Sequence, residues 1–539
     1  MMDYLNLCLI CKDENDYLPE WLDYHILMGV DRFYIYDNGS QVSLRETLKE
    51  YIEYGWVIVV DIPGKAMQLY FYDHCLQTFG AYTYWLGFID LDEFLVPKTS
   101  LNLKELLKDY EAFGGLAVSS LFFGSNGHQI RPAKGQIASY TRRTHETFKE
   151  NELVKCIIQP RMVLFPNSPH DFSFKDGAWC VNEGFLRVDG QYFPNYTNKI
   201  QLNHYFCRSE QEIELKMSRG RPSQSLSWPR KRFEMVNLMA TYDEISILQN
   251  LDVLFQKASA NSQRQLVFPD AVGLLEKMAT LSRTLRPVPL GITGPLEARA
   301  FRTEFIDLMD IKSQAELVRG RGDIIQVCQM LLVLIKILPQ NINFYVDLAV
   351  NYLNTNNTSM AWQALTTAWR LAPNTYTVLG AMSLFFIRTK NFVMVEKTCH
   401  LILEIAPHNL IALAQLVEAL IGQDRYEEAL KVGVPVVELS AKVGELPEGM
   451  GAYLVKKMAD YLLEEKNYGG AARLWEAGVK CQPWDVNLYV EYCRALLLAD
   501  DPIAARQVLS QAEMLASQNE AVLALRKQFD ADHRSHKKK

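Results

Sequence analysis

A chain of 539 residues is too long for one ordinary core, and 49% hydrophobic with 22% charged residues is the balance of a globular protein. The formal net charge of −7 excludes the basic footprint of a nucleic-acid binder; only the terminal run His536–Lys539 is locally basic.

From residue 4 to residue 285, short β-rich runs alternate with amphipathic helices. Leu5–Cys11 reads as a strand and Leu18–Met28 as a helix stopped by Gly29. Arg32–Tyr36 is a second strand, closed by the turn Asp37-Asn38-Gly39-Ser40. Leu44–Glu53 reads as a helix, Val57–Asp61 as a strand, Gln68–Phe79 as a helix and Tyr84–Ile89 as a fourth strand. This cadence predicts βαβ units and a mainly parallel sheet. Ligands of such sheets bind beyond the carboxyl ends of the strands, which singles out Lys12-Asp13-Glu14, Asp37-Asn38, Asp61 and Asp90–Glu93. Cys8 and Cys11 fall in the first apolar run and read as small buried strand residues.

Past residue 290 the period changes. Prolines 339, 373 and 407 stand 34 residues apart, and Pro483 follows after two further repeats plus eight inserted residues, which fit Leu439–Met450. Ala349, Ala361 and Ala368 precede Pro373 at close-packing positions; Ala459, Ala471, Ala505 and Ala512 hold the equivalent places later, whereas Val395 and Ile402 replace them before Pro407. The pattern resembles tetratricopeptide repeats, two helices per unit. The expected organisation is an α/β domain over 1–285, a linker and capping helix over 286–319, and an all-α superhelical repeat domain over 320–535.

Asp90-Leu91-Asp92-Glu93 follows the fourth strand. Two carboxylates separated by one residue at a turning strand end can point to one side and hold a divalent cation such as Mg²⁺ or Mn²⁺. The stretches Lys12-Asp13-Glu14, Tyr17–Trp21, Tyr24–Val30, Tyr34–Ser40 and Asp90–Phe94, with Asn203-His204-Tyr205 and Ser209, Glu212 and Lys216 after it, resemble glycosyltransferase family 92 and its bacterial relatives in the broad family-2 group. That resemblance implies a GT-A (Rossmann-like) α/β fold and transfer of a sugar from a nucleotide donor, a UDP-sugar, usually with inversion. The acceptor would be a hydroxyl of a glycan, a lipid-linked glycan or a protein. Carried onto this chain, Asp37 and Asn38 lie by the base and ribose with Lys12 and Asp13 beside them. Gln68 faces the uracil edge or the sugar, or is simply a polar helix start. The metal ligands become Asp90, Asp92 and His204, with Glu93 positioning them. Lys155 and Arg161, flanking a later strand, either neutralise the diphosphate or are exposed ion-pair partners.

An inverting transfer needs a base for the acceptor hydroxyl, and Asp171, Asp176 and Glu183 qualify by position without order of preference. Nearby aromatics, among them Phe165, Phe172, Phe174, Trp179 and Phe185, suit either core or a sugar-stacking platform. The repeats would bind a partner or acceptor, or self-associate. The alternative function is a non-catalytic adaptor in which the repeats do the binding. A nucleotidyltransferase would need a glycine-rich basic loop after the first strand, where the chain has Lys12-Asp13-Glu14-Asn15-Asp16. Scattered cysteines, no signal-peptide pattern and no long apolar stretch point to the cytoplasm, with the inner face of a membrane as an alternative.

Overall fold

The computed structural model describes residues 2–175, 177–219, 230–261, 273–287, 302–443 and 450–536. They divide into two compact units, one of residues 1–355 and 366–377, the other of 356–365 and 378–539.

In the first unit, β1 (Asp3–Cys11), β2 (Arg32–Asp37), β3 (Val57–Asp61) and β4 (Thr83–Phe88) pair in parallel in the order β4-β1-β2-β3. The strands β5 (Glu93–Pro97), β6 (Gly115–Phe122), the two-residue β7 (Arg142–Arg143) and β8 (Val154–Ile158) follow. β8 runs antiparallel between β4 and β6. A hairpin of β9 (Val163–Pro166) and β10 (Phe172–Phe174) leads to the short β11 (Cys180–Val181) and β12 (Arg187–Val188). Then β13 (Ile200–His204) lies parallel to β6 and antiparallel to β5, while β14 (Tyr242–Asp243) pairs with β7. The sheet is thus mixed and mainly parallel, as the alternating cadence predicts.

Burial explains why β1 and β2 read as near-continuous apolar runs: Leu5, Leu7, Leu9, Phe33 and Ile35 are buried on one face, and Cys8, Ile10, Tyr34 and Tyr36 on the other. The helix Leu18–Leu27 ends where Gly29 takes a φ of +97°, and a Cβ there would stand 2.5 Å from Asn102 Oδ1, so the glycine serves both the turn and the close approach. The helix expected over 44–53 is two short ones, Leu44–Thr47 and Lys49–Glu53, because Leu48 leaves helical geometry. Cys8 and Cys11 are buried in β1.

The helical pairs show their period in the backbone. Gly322, Asn356, Lys390, Asp424, Lys466 and Asp500 all take left-handed φ at the turn between paired helices, at intervals of 34 residues except for 42 between Asp424 and Lys466. The longer interval contains the eight-residue insertion; the helix Tyr426–Val443 runs into it, and residues 444–449 lie outside the described ones. Next to four of these turns Asp323, Asn391, Asn467 and Asp501 cap the second helix of the pair, each side chain accepting a backbone N–H three residues on. Ala361, Ala368, Ala459, Ala471 and Ala505 are wholly buried, as the small-residue pattern predicts; Val395 and Ile402 are also buried. Of the expected linker, residues 288–301 lie outside the described residues, and Thr303–Gly320 is a helix. Among the described residues no helix is long and apolar enough to cross a membrane.

Candidate active site

The carboxyl ends of β1, β2, β4, β6 and β13 and the start of β8 share one end of the sheet. The loops after β1 and β2 are latched together there. Asp13 (φ 54°) takes a hydrogen bond from the Gln41 N–H at 2.7 Å, and its own N–H donates to Ser40 Oγ at 3.1 Å. Asp37 Oδ1 accepts the Ser40 N–H, and Asn38 Oδ1 accepts the Gly64 N–H. Asp13, Asp37 and Asn38 are therefore brought together, with exposed Lys12 beside them.

After β4 the chain turns on Asp90–Glu93. The Asp90 N–H donates to Glu93 Oε2 at 2.8 Å, so Glu93 closes the turn that presents Asp90. Lys155, 1% exposed, lies 3.0 Å from Asp90 Oδ2 and 3.4 Å from Glu93 Oε2. Burial favours the neutral amine, but these two carboxylates outweigh it and raise the Lys155 pKa well above its ordinary value. Gln68 Nε2 lies 3.4 Å from Asp90 Oδ1. Burial raises the Glu93 pKa against the opposing pull of Lys155.

His204 arrives through strand pairing rather than sequence proximity. It is the cross-strand partner of Glu93 in the β13–β5 ladder and of Phe122 in the β13–β6 ladder. Its Nδ1 stands 3.6 Å from Glu93 Oε1 and its Nε2 3.7 Å from Asp92 Oδ2. Lys216 Nζ donates to the same Asp92 oxygen at 2.6 Å. Burial opposes ionisation of Asp92, yet Lys216 and His204 together hold its carboxyl well below the usual range. Among the described residues no three acidic, histidine or cysteine side chains converge as a metal cage. Asp92 and His204 face one another, while Asp90 turns to Lys155.

Sequence reasoning passed over Arg208. This buried guanidinium takes a left-handed backbone (φ 52°) one residue before the capping box Ser209-x-x-Glu212. Its Nη1 donates to Glu14 Oε1 at 2.9 Å, its Nε to Gln136 Oε1 at 2.9 Å, and Tyr17 covers it at 4.2 Å. Nη2 is buried without a hydrogen-bond partner among the described residues. Gln136 in turn reaches the carbonyl of Leu91. The one sequence signal for Arg208 is its place inside the Asn203–Lys216 stretch. His170 was also unmarked as a site group. Burial lowers its pKa to about 3, and neighbouring Lys155 adds to the effect.

Other expected residues lie apart from the cluster. Arg161 stacks at 4.4 Å on Tyr84, at the amino-terminal end of β4, opposite the site. Glu183 accepts the backbone N–H groups of Asn198, Lys199 and Ile200, which ties down the start of β13. Asp171 accepts from Asn167 Nδ2 and Ser168 Oγ and shapes the β9–β10 turn. Asp176 lies outside the described residues. Of the aromatics, Phe172 is core, whereas Trp179 and Phe185 are 36% and 45% exposed.

A mainly parallel sheet with a cluster of ionisable side chains at the strands' carboxyl ends is the arrangement in which α/β domains hold ligands. The glycosyltransferase family 92 model matches residues 8–224 of this chain. A family 92 protein of Ricinus communis is 31% identical over 192 residues, 34% of this chain and 34% of that protein. One of Oryza sativa subsp. japonica is 29% identical over 189 residues, covering 33% and 31%. A galactan beta-1,4-galactosyltransferase of Arabidopsis thaliana is 32% identical over 107 residues, covering 17% and 21%. The chain thus spans about a third of the length of the family 92 relatives it matches. Among solved structures, Pseudomonas aeruginosa pilF is 14% identical with a TM-score of 0.32, covering 42% of this chain and 100% of its own. YrrB, a TPR protein with an unusual peptide-binding site, is 14% identical with a TM-score of 0.28, covering 36% and 97%.

Proposed function

We propose that the α/β domain is a glycosyltransferase that moves a sugar from a UDP-sugar to a hydroxyl acceptor with inversion, aided by Mn²⁺ or Mg²⁺. The supporting observation is the meeting of Asp92, Glu93 and His204 at the strand ends of a region that matches the family 92 model. Carboxylate oxygen and imidazole nitrogen are suitable donors for such an ion, and Asp92 and His204 are the facing pair. We assign two protein ligands rather than three, because Asp90 is turned to Lys155. A bound cation would offset the charge that develops on the departing diphosphate.

The chain's own residues divide the remaining work. Lys155 and Lys216 fix the direction of their carboxylates, and Lys216 helps hold the Asp92 carboxyl below its usual range. Asp13, Asp37 and Asn38 offer acceptors for ribose hydroxyls and the base from a loop already latched in place. Arg208, with Nη2 unpartnered, offers a charge-assisted donor to phosphate. The repeats hold a partner or the acceptor, or a second copy.

One observation favours a second reading. Lys216 Nζ already contacts the Asp92 oxygen that faces His204, so an ammonium can serve where a metal would. Calorimetry of UDP with and without Mn²⁺, in the parent, Asp92→Asn and Lys216→Met, separates the two. Metal dependence requires Mn²⁺ to tighten UDP binding about tenfold or more in the parent and not in Asp92→Asn. Metal-free UDP binding lost in Lys216→Met supports the second reading. Absence of UDP binding in every condition defeats both. A panel of UDP-sugars scored for slow hydrolysis then identifies the donor.

A further inference from the structure

A cleft of about 580 Å³ opens in the first unit, on the far side of β8 from the acidic cluster. Successive side chains of a strand face opposite ways, so Lys155 turns to the cluster while Cys156 lines the cleft. Its walls are the β9–β10 hairpin, the β11–β12 turn and the interhelical turn at Leu338–Asn343. The volume falls within the roughly 300–1,000 Å³ of small-molecule sites.

The lining is aromatic and hydrogen-bonding without surplus charge. Trp179 is 36% exposed, and Arg187 lies 5.4 Å from its ring centroid. Arg187 is held flat by a bidentate pair with Asp189 at 3.0–3.1 Å. Asn341 bridges the two walls, its Nδ2 donating to Ser173 Oγ at 3.2 Å. The turn at Asp189–Gly190 is fixed by Thr377 Oγ1 donating to the Asp189 carbonyl and by a glycine φ of +94° beside Asn343. The cleft is therefore built from anchored planar groups rather than from loose surface side chains. Its cations have partners: Arg187 has Asp189, and Lys175 donates to the Arg161 carbonyl. An anionic ligand would find its countercharges taken. A neutral ligand with an apolar face and a rim of hydroxyls matches an exposed indole beside planar amide, carboxylate and guanidinium groups.

We propose that this cleft binds a neutral oligosaccharide, the body of the acceptor glycan, with Trp179 as its stacking face and Arg187, Asp189 and Asn341 as its hydrogen-bonding rim. The proposal deepens the transferase reading and rests on it for the source of the glycan. It adds a second sugar-holding surface, which would keep a growing chain bound between transfers.

The test uses the full chain and a panel of tetrasaccharides: β-1,4-linked galactose, glucose, xylose, mannose and N-acetylglucosamine. Saturation-transfer NMR and calorimetry should show at least one binding saturably with a Kd near ~1 mM or tighter. Trp179→Ala should weaken it about tenfold or more, whereas Trp179→Phe keeps it within about threefold. Gln340→Trp, which fills the cleft from an exposed position, should abolish it even if Trp179→Ala folds poorly. UDP binding, measured in the same samples, should stay at the parent value in all three variants. No binding by any tetrasaccharide at roughly ten times that concentration overturns the proposal, as does binding that Gln340→Trp leaves unchanged. Loss of UDP binding in the parent strikes instead at the transferase reading.

Discussion

At the end of the sheet a lysine 1% exposed sits between two carboxylates, whereas the wholly buried positions of the helical pairs include alanines such as Ala471 and Ala505 beside Leu365, Val395 and Val455. The first region buries charge and must balance it with partners from distant parts of the chain. The second buries small apolar groups, and its order comes from neighbours within one or two repeats. A change of charge should therefore dominate in one region and a change of volume in the other.

The largest effect is expected at Lys155. Lys155→Met leaves Glu93 buried without its cation, and loss of one member of a buried pair costs about 3–5 kcal/mol. Chemical denaturation should show that fall, and Lys155→Met with Glu93→Gln should recover most of it. If the double variant is no better than the single, charge balance is not what holds this end together.

A pH effect of about 3 kcal/mol is expected at Glu20, whose carboxylate accepts the N–H groups of Gln136 and Ile137. Burial raises its pKa from the ordinary 4.5 to about 7, in spite of those hydrogen bonds. The folded chain thus holds a proton that the unfolded chain releases above 4.5. That contribution is complete below pH 4.5 and is lost as the pH rises through 7. The stability difference between parent and Glu20→Gln, followed from pH 4.5 to 8, should change in that window and be flat above it.

The repeats should answer to volume. Ala471→Leu crowds a fully buried helix–helix contact and should cost about 1–3 kcal/mol in the melting of the repeat region, with UDP affinity unchanged. Smallest is Asn467→Ala, which removes the cap that accepts the Gly470 N–H, at about 1 kcal/mol by the same measurement. A drop in UDP affinity in either variant would show that the two regions do not behave independently.

The repeat architecture was legible because its signals are local. The 34-residue proline spacing and the buried alanines are written in sequence, and they reappear as left-handed turns at Asn356, Lys390 and Asp424. The first four strands were legible for a similar reason, each being a short β-rich run closed by turn residues or a helix. Asp13, Asp37 and Asp90 stand out because each follows the end of such a run. Sequence could mark His204 by resemblance, but only the β5–β13 ladder sets it against Glu93. Nor could sequence foresee that Lys155 and Lys216 would each claim a carboxylate of the Asp-x-Asp pair, which divides Asp90 from Asp92. Glu183 looked like a candidate base by position, yet three backbone N–H groups occupy it.

By itself, then, the sequence determined which elements form and at which strand ends polar side chains collect, since both follow from local periodicity. Tertiary structure decided which acid meets which base at Asp90–Glu93. Those pairings join groups 65 and 124 residues apart in the chain, and strand register and burial, rather than spacing, choose them.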